Sequence, residues 1–323
     1  MAQPTNLYDK YDLKGDREDL INKIYLVDPV EVPVTSAIGR TTASNTYHEW
    51  QRDSLAAANK DNALIDGDDF TADALTPTER VGNYSQIFGK KPAVSRRANI
   101  VKKAGRGSEM VYKKAQAMKE IKRDIEAMVL SNNPAVAGNS TTASKSAGMG
   151  VQFYANTSHG GAGATASWTS GAPTTAVTAG TNRTFTEALL KAVVQSAYTA
   201  SGAVPSMVVM SPNHKELFSA FAGIAASRVN TSPKGNGQAK IVAGADIYAS
   251  NFGQLEIVPH YIMVGATDVF LINTEYAELA FLDGFREEAM GKTGDSDKLL
   301  ITADVALAVR APKAMAKIAN LTA

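Results

Sequence analysis

The segment 108–130 restricts the fold of this chain more than any other part of the sequence. Apolar side chains recur in it every three or four residues, and lysines occupy many of the positions between them. The apolar positions are Val111, Ala115, Met118, Ile121, Ile125 and Met128. This spacing places them on one face, since an α-helix repeats about every 3.6 residues. The sequence therefore predicts one long amphipathic helix with a basic outer side.

Charge is arranged in two opposite blocks, although the whole chain is almost neutral. It carries 33 basic and 32 acidic side chains, for a net charge of +1. Residues 53–79 contain seven acids and one lysine, a net of −6, whereas residues 90–126 contain twelve bases and four acids, a net of +8. Whole-chain charge therefore predicts neither nucleic-acid nor membrane binding. No secretory signal or membrane-spanning apolar stretch is present, which predicts a soluble protein made inside a cell.

Three uses of the two charge blocks remain open from the residues alone. The blocks can pair within one chain, or the acidic block of one copy can lie on the basic block of the next. The second arrangement is a heterologous contact, and such contacts close into rings or shells. The basic helix face can also bind a polyanion, and both intermolecular uses would be sensitive to salt. The acidic candidates are Asp66, Asp68 and Asp69, and the basic candidates are Lys113, Lys114, Lys119, Lys122 and Arg123.

The residues before the long helix predict an arm and a hairpin. Residues 16–27 have the spacing of a short helix, and the prolines that follow favour an extended chain. The runs 45–51 and 80–88 are rich in aromatic and β-branched residues, as strands are. They predict a long hairpin whose tip is the acidic block. Such a hairpin has no evident way to bury itself on its own chain.

Residues 132–182 have an unusual composition, because Gly, Ala, Ser and Thr supply 34 of the 51 positions. That composition is typical of either a flexible linker or an extended surface loop. Phe153, Tyr154 and Trp168 are uncommon in a linker, so we expect an ordered loop that is held by its neighbours.

A compact α/β pattern follows. Thr184 and Glu187 have capping-box spacing and predict a helix that ends near Gly202. A strand at 206–210 and a helix from Ser211-Pro212 to Gly223 come next. Further strands are predicted at 246–250, 255–260, 269–273 and 277–282, and a long final strand at 299–309. The whole chain is therefore predicted to be α+β.

No motif in the chain predicts catalysis, a cofactor or a metal. The absence of cysteine excludes disulfides, thiolate metal sites and cysteine nucleophiles. Gly291-Lys292-Thr293 lacks the first glycine of a phosphate-binding loop, and His48-Glu49 lacks the second histidine of a zinc-protease motif. The three acidic candidates suit calcium by charge, but they lack the ligand alternation of an EF-hand, so a solvated loop is favoured. We predict no catalytic, cofactor-binding or metal-binding residue and no enzyme.

The order of these elements resembles that of tailed-phage major capsid proteins with the Hong Kong 97-type fold. Several segments are also similar in amino-acid sequence to one phage head-protein family of this kind. They are residues 11–40, 45–56, 104–132, 183–190 and 292–314. The resemblance covers most of the chain, and the arm and the long helix are its most specific parts.

The resemblance implies a division into named parts. Residues 1–44 would be the N-terminal arm and 45–98 the extended β-hairpin loop. Residues 99–183 would be a peripheral domain, with a spine helix at 108–130 and the Gly/Ala/Ser/Thr-rich loop at 132–182. Residues 184–290 would be the axial domain, and 291–323 would return to the peripheral domain.

The same resemblance implies a function and partners. The chain would self-assemble through hexamers and pentamers into an icosahedral head shell that encloses phage double-stranded DNA, with non-specific DNA contacts. It would meet a portal protein, and the resemblance leaves room for separate scaffolding or decoration proteins. The arm and extended loop would tie neighbouring subunits. The expected location is the virion, after assembly in the host cytoplasm and without a membrane.

Two other classes stay open at this point. The Thr/Ser/Ala/Gly-rich stretch is also compatible with a tail tube, decoration or adhesion protein. An enzyme whose carboxylates are too dispersed to form a motif is the remaining alternative, and facing acids in a deep pocket of residues 184–290 would favour it. Both rank below the shell protein.

Overall fold

The computed structural model describes residues 23–67, 69, 74–221 and 246–322. Its α-helices are α1 (Pro33–Ala37), α2 (Arg96–Ile100), α3 (Glu109–Val129), α4 (Met149–Gln152), α5 (Glu187–Ser201) and α6 (Pro212–Ser219). Its strands are β1 (Gly39–Thr42), β2 (Tyr47–Arg52), β3 (Glu79–Tyr84), β4 (Gln86–Lys90), β5 (Ala93–Ser95), β6 (Thr157–Ser158), β7 (Met207–Met210), β8 (Ile247–Ala249), β9 (Gln254–Pro259), β10 (Val269–Ile272), β11 (Ala277–Met290), β12 (Ser296–Val309) and β13 (Ala316–Ile318). The described chain is α+β, as the sequence predicts.

The first sheet is built around the long antiparallel pair of β11 and β12. Its strand order is β1-β11-β12-β4, and β5 also pairs with β12. The strand predicted at 277–282 extends to Met290, because its polar second half continues alongside β12. The domain boundary expected at residue 290 therefore falls at the end of a strand that belongs to the same sheet as β12.

Helix α3 packs on this sheet and confirms the predicted long helix. Ser108 is its N-cap, with its hydroxyl accepting from the Val111 amide at 3.5 Å. The second half buries Ile121, Ile125 and neighbouring residues against β4 and β12. The first half of the predicted apolar face is wrong, because Val111 and Ala115 are exposed. The sheet packs mainly against the second half of the helix. The apolar periodicity of the sequence therefore extends over helix turns that the sheet does not bury.

The second sheet has six strands in the order β6-β13-β10-β7-β9-β8. Helices α5 and α6 pack on one face of it, where Val193 and Phe218 join Val208 and Leu271 in one core. Side chains of the opposite face, including Val209 of β7, belong to the core that contains α3. Strand β7 is therefore buried on both faces, which explains its uninterrupted apolar sequence.

Three predicted helix boundaries differ from the structure. Residues 23–27 of the predicted helix 16–27 are not helical, and residues 16–22 lie outside the described part. Helix α5 begins at Glu187 and has Thr186 rather than Thr184 as its N-cap, because the Thr186 hydroxyl accepts from the Leu189 amide at 3.4 Å. Helix α6 ends at Ser219 with Ala220 as its C-cap, before the predicted end at residue 223.

The Gly/Ala/Ser/Thr-rich loop 132–182 is ordered and held by its neighbours, as expected. It supplies side chains that hydrogen-bond to the backbone of β12 where no strand pairs with that edge. Gln152 Nε2 donates to the Leu307 carbonyl at 3.1 Å, and Gln152 Oε1 accepts from the Val309 amide at 3.2 Å. Asn83 of β3 completes the set by donating to the same Leu307 carbonyl at 2.7 Å. These amides satisfy backbone groups that would otherwise be buried without partners.

The hairpin of β2 and β3 is anchored on its own chain, contrary to the expectation from the sequence. Trp50 meets Trp168 of the 132–182 loop edge-to-face, with ring centres 5.7 Å apart. The guanidinium of Arg52 lies 4.5 Å from the Trp168 ring centre. Gly171 accepts from the Gly82 amide at 2.8 Å, and a Cβ on Gly171 would lie 2.5 Å from the backbone of β3. Side-chain and backbone contacts with the 132–182 loop thus anchor the hairpin.

A buried lysine joins the second sheet to the 132–182 loop. Lys317 of β13 has no exposed surface, and its Nζ donates to the Gly150 carbonyl at 2.6 Å. Asp268 Oδ2 lies 4.0 Å from the same nitrogen. Burial lowers the pKa of Lys317 from its ordinary value of 10.5 to about 8, and Asp268 opposes that shift only in part.

The Lys317→Met variant is expected to lose part of the pH dependence of stability. Between about pH 8 and 10.5 the unfolded chain keeps the Lys317 proton while the folded chain releases it. The free energy of unfolding therefore rises with pH across this window, by about 3 kcal/mol from this group. Urea unfolding on both sides of the window measures the rise. Lys313→Met, at an exposed neighbour, should keep the wild-type slope; an equal slope in Lys317→Met would contradict the assignment.

Candidate functional site

The acidic block forms the connection between β2 and β3, and its described residues are exposed. Asp66 and Asp69 lie in this loop, whereas Asp68 falls outside the described residues. Apolar side chains accompany the carboxylates: Leu64 is 71% exposed and Leu75 is 91% exposed. Apolar side chains concentrated on one exposed segment are typical of a contact surface. The loop therefore combines negative charge with apolar surface that its own chain leaves uncovered.

Two of the five basic candidates on α3 have partners on other elements of the chain. Lys114 forms an ion pair with Glu287 of β11. The guanidinium of Arg123 lies 5.7 Å from the ring centre of Tyr261, at cation–π distance. Both side chains therefore help to hold α3 on the rest of the subunit.

The other three basic candidates, Lys113, Lys119 and Lys122, are exposed. Lys113 donates to the side chain of Gln116 on the same helix at 3.0 Å. Among the described residues, no ion pair includes any of the three lysines, and none joins Asp66 to α3. Within that part of the chain, the structure therefore leaves the Asp66 carboxylate and these lysines available to other molecules.

Glu126, on the buried side of α3, holds the arm. Its Oε1 accepts from the Val34 amide at 2.9 Å, and its Oε2 accepts from the Thr35 amide at 2.8 Å. Both amides belong to the first turn of α1, which begins at Pro33 and has no side-chain cap of its own. The Glu126 side chain is fully buried. One carboxylate therefore fixes the direction of the arm relative to the long helix.

His260 completes the environment of Glu126 from the segment that follows β9. Its Nε2 lies 2.9 Å from Glu126 Oε1, and its Nδ1 accepts from the Ile262 amide at 3.1 Å. Because Nδ1 acts as an acceptor, Nε2 carries the hydrogen that His260 donates to the carboxylate. Three N–H groups from two distant segments thus stabilise one buried negative charge.

The position of Glu126 in the sequence indicates a buried carboxylate but does not reveal its partners. Glu126 lies among Ile125, Met128 and Val129, which are all buried on α3. A carboxylate on an apolar helix face has to be hydrogen-bonded when it is buried. Its partners come from residues 34, 35 and 260, so spacing along the sequence cannot identify them.

Glu126→Gln is expected to loosen the arm. A carboxamide keeps one acceptor oxygen, so one of the two α1 amides loses its partner, at a cost of about 1–3 kcal/mol in the free energy of unfolding. Hydrogen–deuterium exchange of peptides that contain Val34 and Thr35 should become faster. Glu120→Gln, on the same helix with a side chain that is 52% exposed, is the matched control. Exchange that is unchanged in Glu126→Gln and equal to that of the control would show that the carboxylate does not hold the arm.

The described residues contain no cluster of three or more side chains suited to a metal ion. None of the described helices combines the length and the apolar composition needed to span a membrane. The described surface offers an acidic loop with exposed apolar side chains and three exposed lysines distributed along α3.

Comparisons with known proteins identify a family and a relative of this chain. The family model described as SU10 major capsid protein matches residues 3–322. The major capsid protein of Escherichia phage Phieco32 is 32% identical over 250 residues, which cover 68% of this chain and 70% of that protein.

Two solved structures share the fold across nearly the whole chain. The capsid asymmetric unit of cyanophage A-1(L) matches with a TM-score of 0.65 and 14% identity, covering 99% of this chain and all of that one. A structure from Gordonia phage Cozz matches with a TM-score of 0.61 and 10% identity, covering 95% of this chain and 91% of that one. At such low identity these two likenesses establish the fold alone.

Proposed function

Since this chain belongs to the family of SU10 major capsid proteins, we propose that the arm and acidic loop of each copy tie it to its neighbours in the shell. The chain is a major capsid protein that forms a phage head shell, and its fold is of the Hong Kong 97 type. This assignment replaces the alternatives of a tail tube, decoration or adhesion protein. The family is structural, and we propose no catalytic step for the chain.

We keep the sequence-based division into capsid domains and propose one change. We take residues 1–44 as the arm, 45–98 as the extended loop and 108–130 as the spine helix of the peripheral domain. We also take residue 184 as the start of the axial domain. We place its end before β11 rather than at residue 290, because β11 pairs with β1 and β12 and not with the second sheet.

The observation that carries the loop proposal is the separation of the two charged surfaces. Asp66 has no ion-pair partner on α3 of its own chain within the described part, and Lys113, Lys119 and Lys122 are exposed there. In a shell, a heterologous contact repeats around every symmetry axis, so each subunit can offer its loop to one neighbour and its helix to another. Opposite charges at such a contact also favour the correct register.

Further partners follow from the role of the shell. We propose that it encloses double-stranded DNA through non-specific contacts, and that exposed lysines not used between subunits face it. A portal protein is a further proposed partner, and the proposal leaves room for separate scaffolding or decoration proteins. Assembly takes place in the host cytoplasm.

Reversal of the loop charge tests the contact between copies. The variant in which Asp66, Asp68 and Asp69 are all replaced by Lys is expected to give folded subunits that do not form shells, because like charges then face each other. Sedimentation and electron micrographs measure shells, and circular dichroism measures folding. Closed shells in normal yield from this variant would contradict the loop contact.

A charge swap provides the matched control. Adding Lys113→Glu, Lys119→Glu and Lys122→Glu to the reversed loop restores opposite charges across the proposed contact. We expect shells to return, and their stability to fall as salt is added. If the charge-swapped variant folds but still forms no shells, the partner of the loop lies elsewhere.

A further inference from the structure

An open groove lies beside the first turn of α3, between that helix, α2 and β5. It has a volume of about 570 Å³. Its lining is mainly apolar and includes Pro92, Ala98 and Val101. Val101 is 56% exposed.

The rim of the groove is basic. Lys103, Arg106 and Lys113 line it together with one acid, Glu109. Lys103 Nζ lies 3.9 Å from the Glu109 carboxylate, and Arg106 also pairs with Glu109. Lys103 and Arg106 thus share a single carboxylate, and Lys113 adds a third cation that has no ion pair among the described residues. The rim therefore has excess positive charge. An occupant that combines apolar side chains with carboxylates would match both the floor and the rim.

The acidic loop of this chain contains a segment of that kind. Leu64 and Ile65 are 71% and 73% exposed, and they are flanked by Asp61 and Asp66. Both apolar side chains are exposed to water in the described chain, so burying them against another molecule would be favourable. Within the described chain, the loop and the groove therefore both expose apolar surface, and they carry opposite charge.

We infer that the groove is the seat of a second copy's loop, with Leu64 and Ile65 inserted and the flanking aspartates on the basic rim. This rests on the proposed function and adds to it a specific docking site. The exposed lysines of α3 supply charge that attracts the loop, whereas the groove supplies the apolar contact that fixes its position. Lys113 is both one of these lysines and part of the groove rim.

The absence of cysteine from this chain allows a direct test. A chain carrying Ile65→Cys and Ala98→Cys should form disulfides between copies when its shells are mildly oxidised. A denaturing gel without reductant should then show a ladder at multiples of 34.1 kDa, and reductant should remove it. The control pairs Ile65→Cys with Ala192→Cys, an exposed alanine on α5, and should give no ladder.

Other outcomes overturn the inference without affecting the proposed function. Shells of the Ile65–Ala98 pair that give no ladder show that the loop does not reach the groove. A ladder from Val27→Cys with Ala98→Cys, in the absence of one from Ile65, shows that the groove holds the arm instead. By contrast, failure of the wild-type chain to form shells at all would count against the proposed function.

A second measurement covers the case in which the cysteine pair prevents assembly. Ala98→Trp fills the groove without changing its charge and is expected to lower shell yield at least tenfold. Ala98→Ser, which leaves the groove open, should assemble as the wild type does. Equal yields from these two variants would overturn the inference.

Discussion

The buried carboxylate of Glu126 connects three parts of this chain that are far apart in sequence. It lies on the long helix, it accepts from the amides of Val34 and Thr35 in the arm, and it accepts from His260 after β9. Among the described residues its partners are N–H groups rather than a lysine or an arginine, so backbone dipoles and one imidazole balance the charge. Such a site tolerates little displacement of any partner, and it therefore sets where the arm leaves the subunit.

The rest of the subunit is joined in a similar way, by buried polar contacts between distant segments. The amides of Asn83 and Gln152 occupy an edge of β12, and Lys317 holds the loop carbonyl of Gly150. Strand β7 is shared by the two cores, so the two sheets do not form independent units. The acidic loop is the exception, because its described residues stay exposed. A subunit that is firmly joined inside and keeps one charged, apolar segment outside suits assembly with copies of itself.

Sequence patterns predicted elements well where the cause is local and poorly where it is distant. The ends of α3 follow from the Ser108 cap and the 3.6-residue period, both of which are local. The exposure of Val111 could not be predicted, because periodicity does not report which turns a sheet covers. The anchoring of the hairpin by Trp168 and Gly171 was missed for the same reason. The family resemblance supplied the fold and the role in the shell, whereas the contact residues depend on a second copy of the chain.

The central claim is that each copy contacts the next through its acidic loop and the exposed lysines of the long helix. An electron cryomicroscopy reconstruction of the assembled shell, at a resolution that shows side chains, tests it most directly. The account predicts that the loop of one copy lies over α3 and its groove on the next, with Asp66 or Asp69 within about 4 Å of Lys113, Lys119 or Lys122. A loop that rests on its own subunit, or that meets a neighbour away from these lysines, would contradict it.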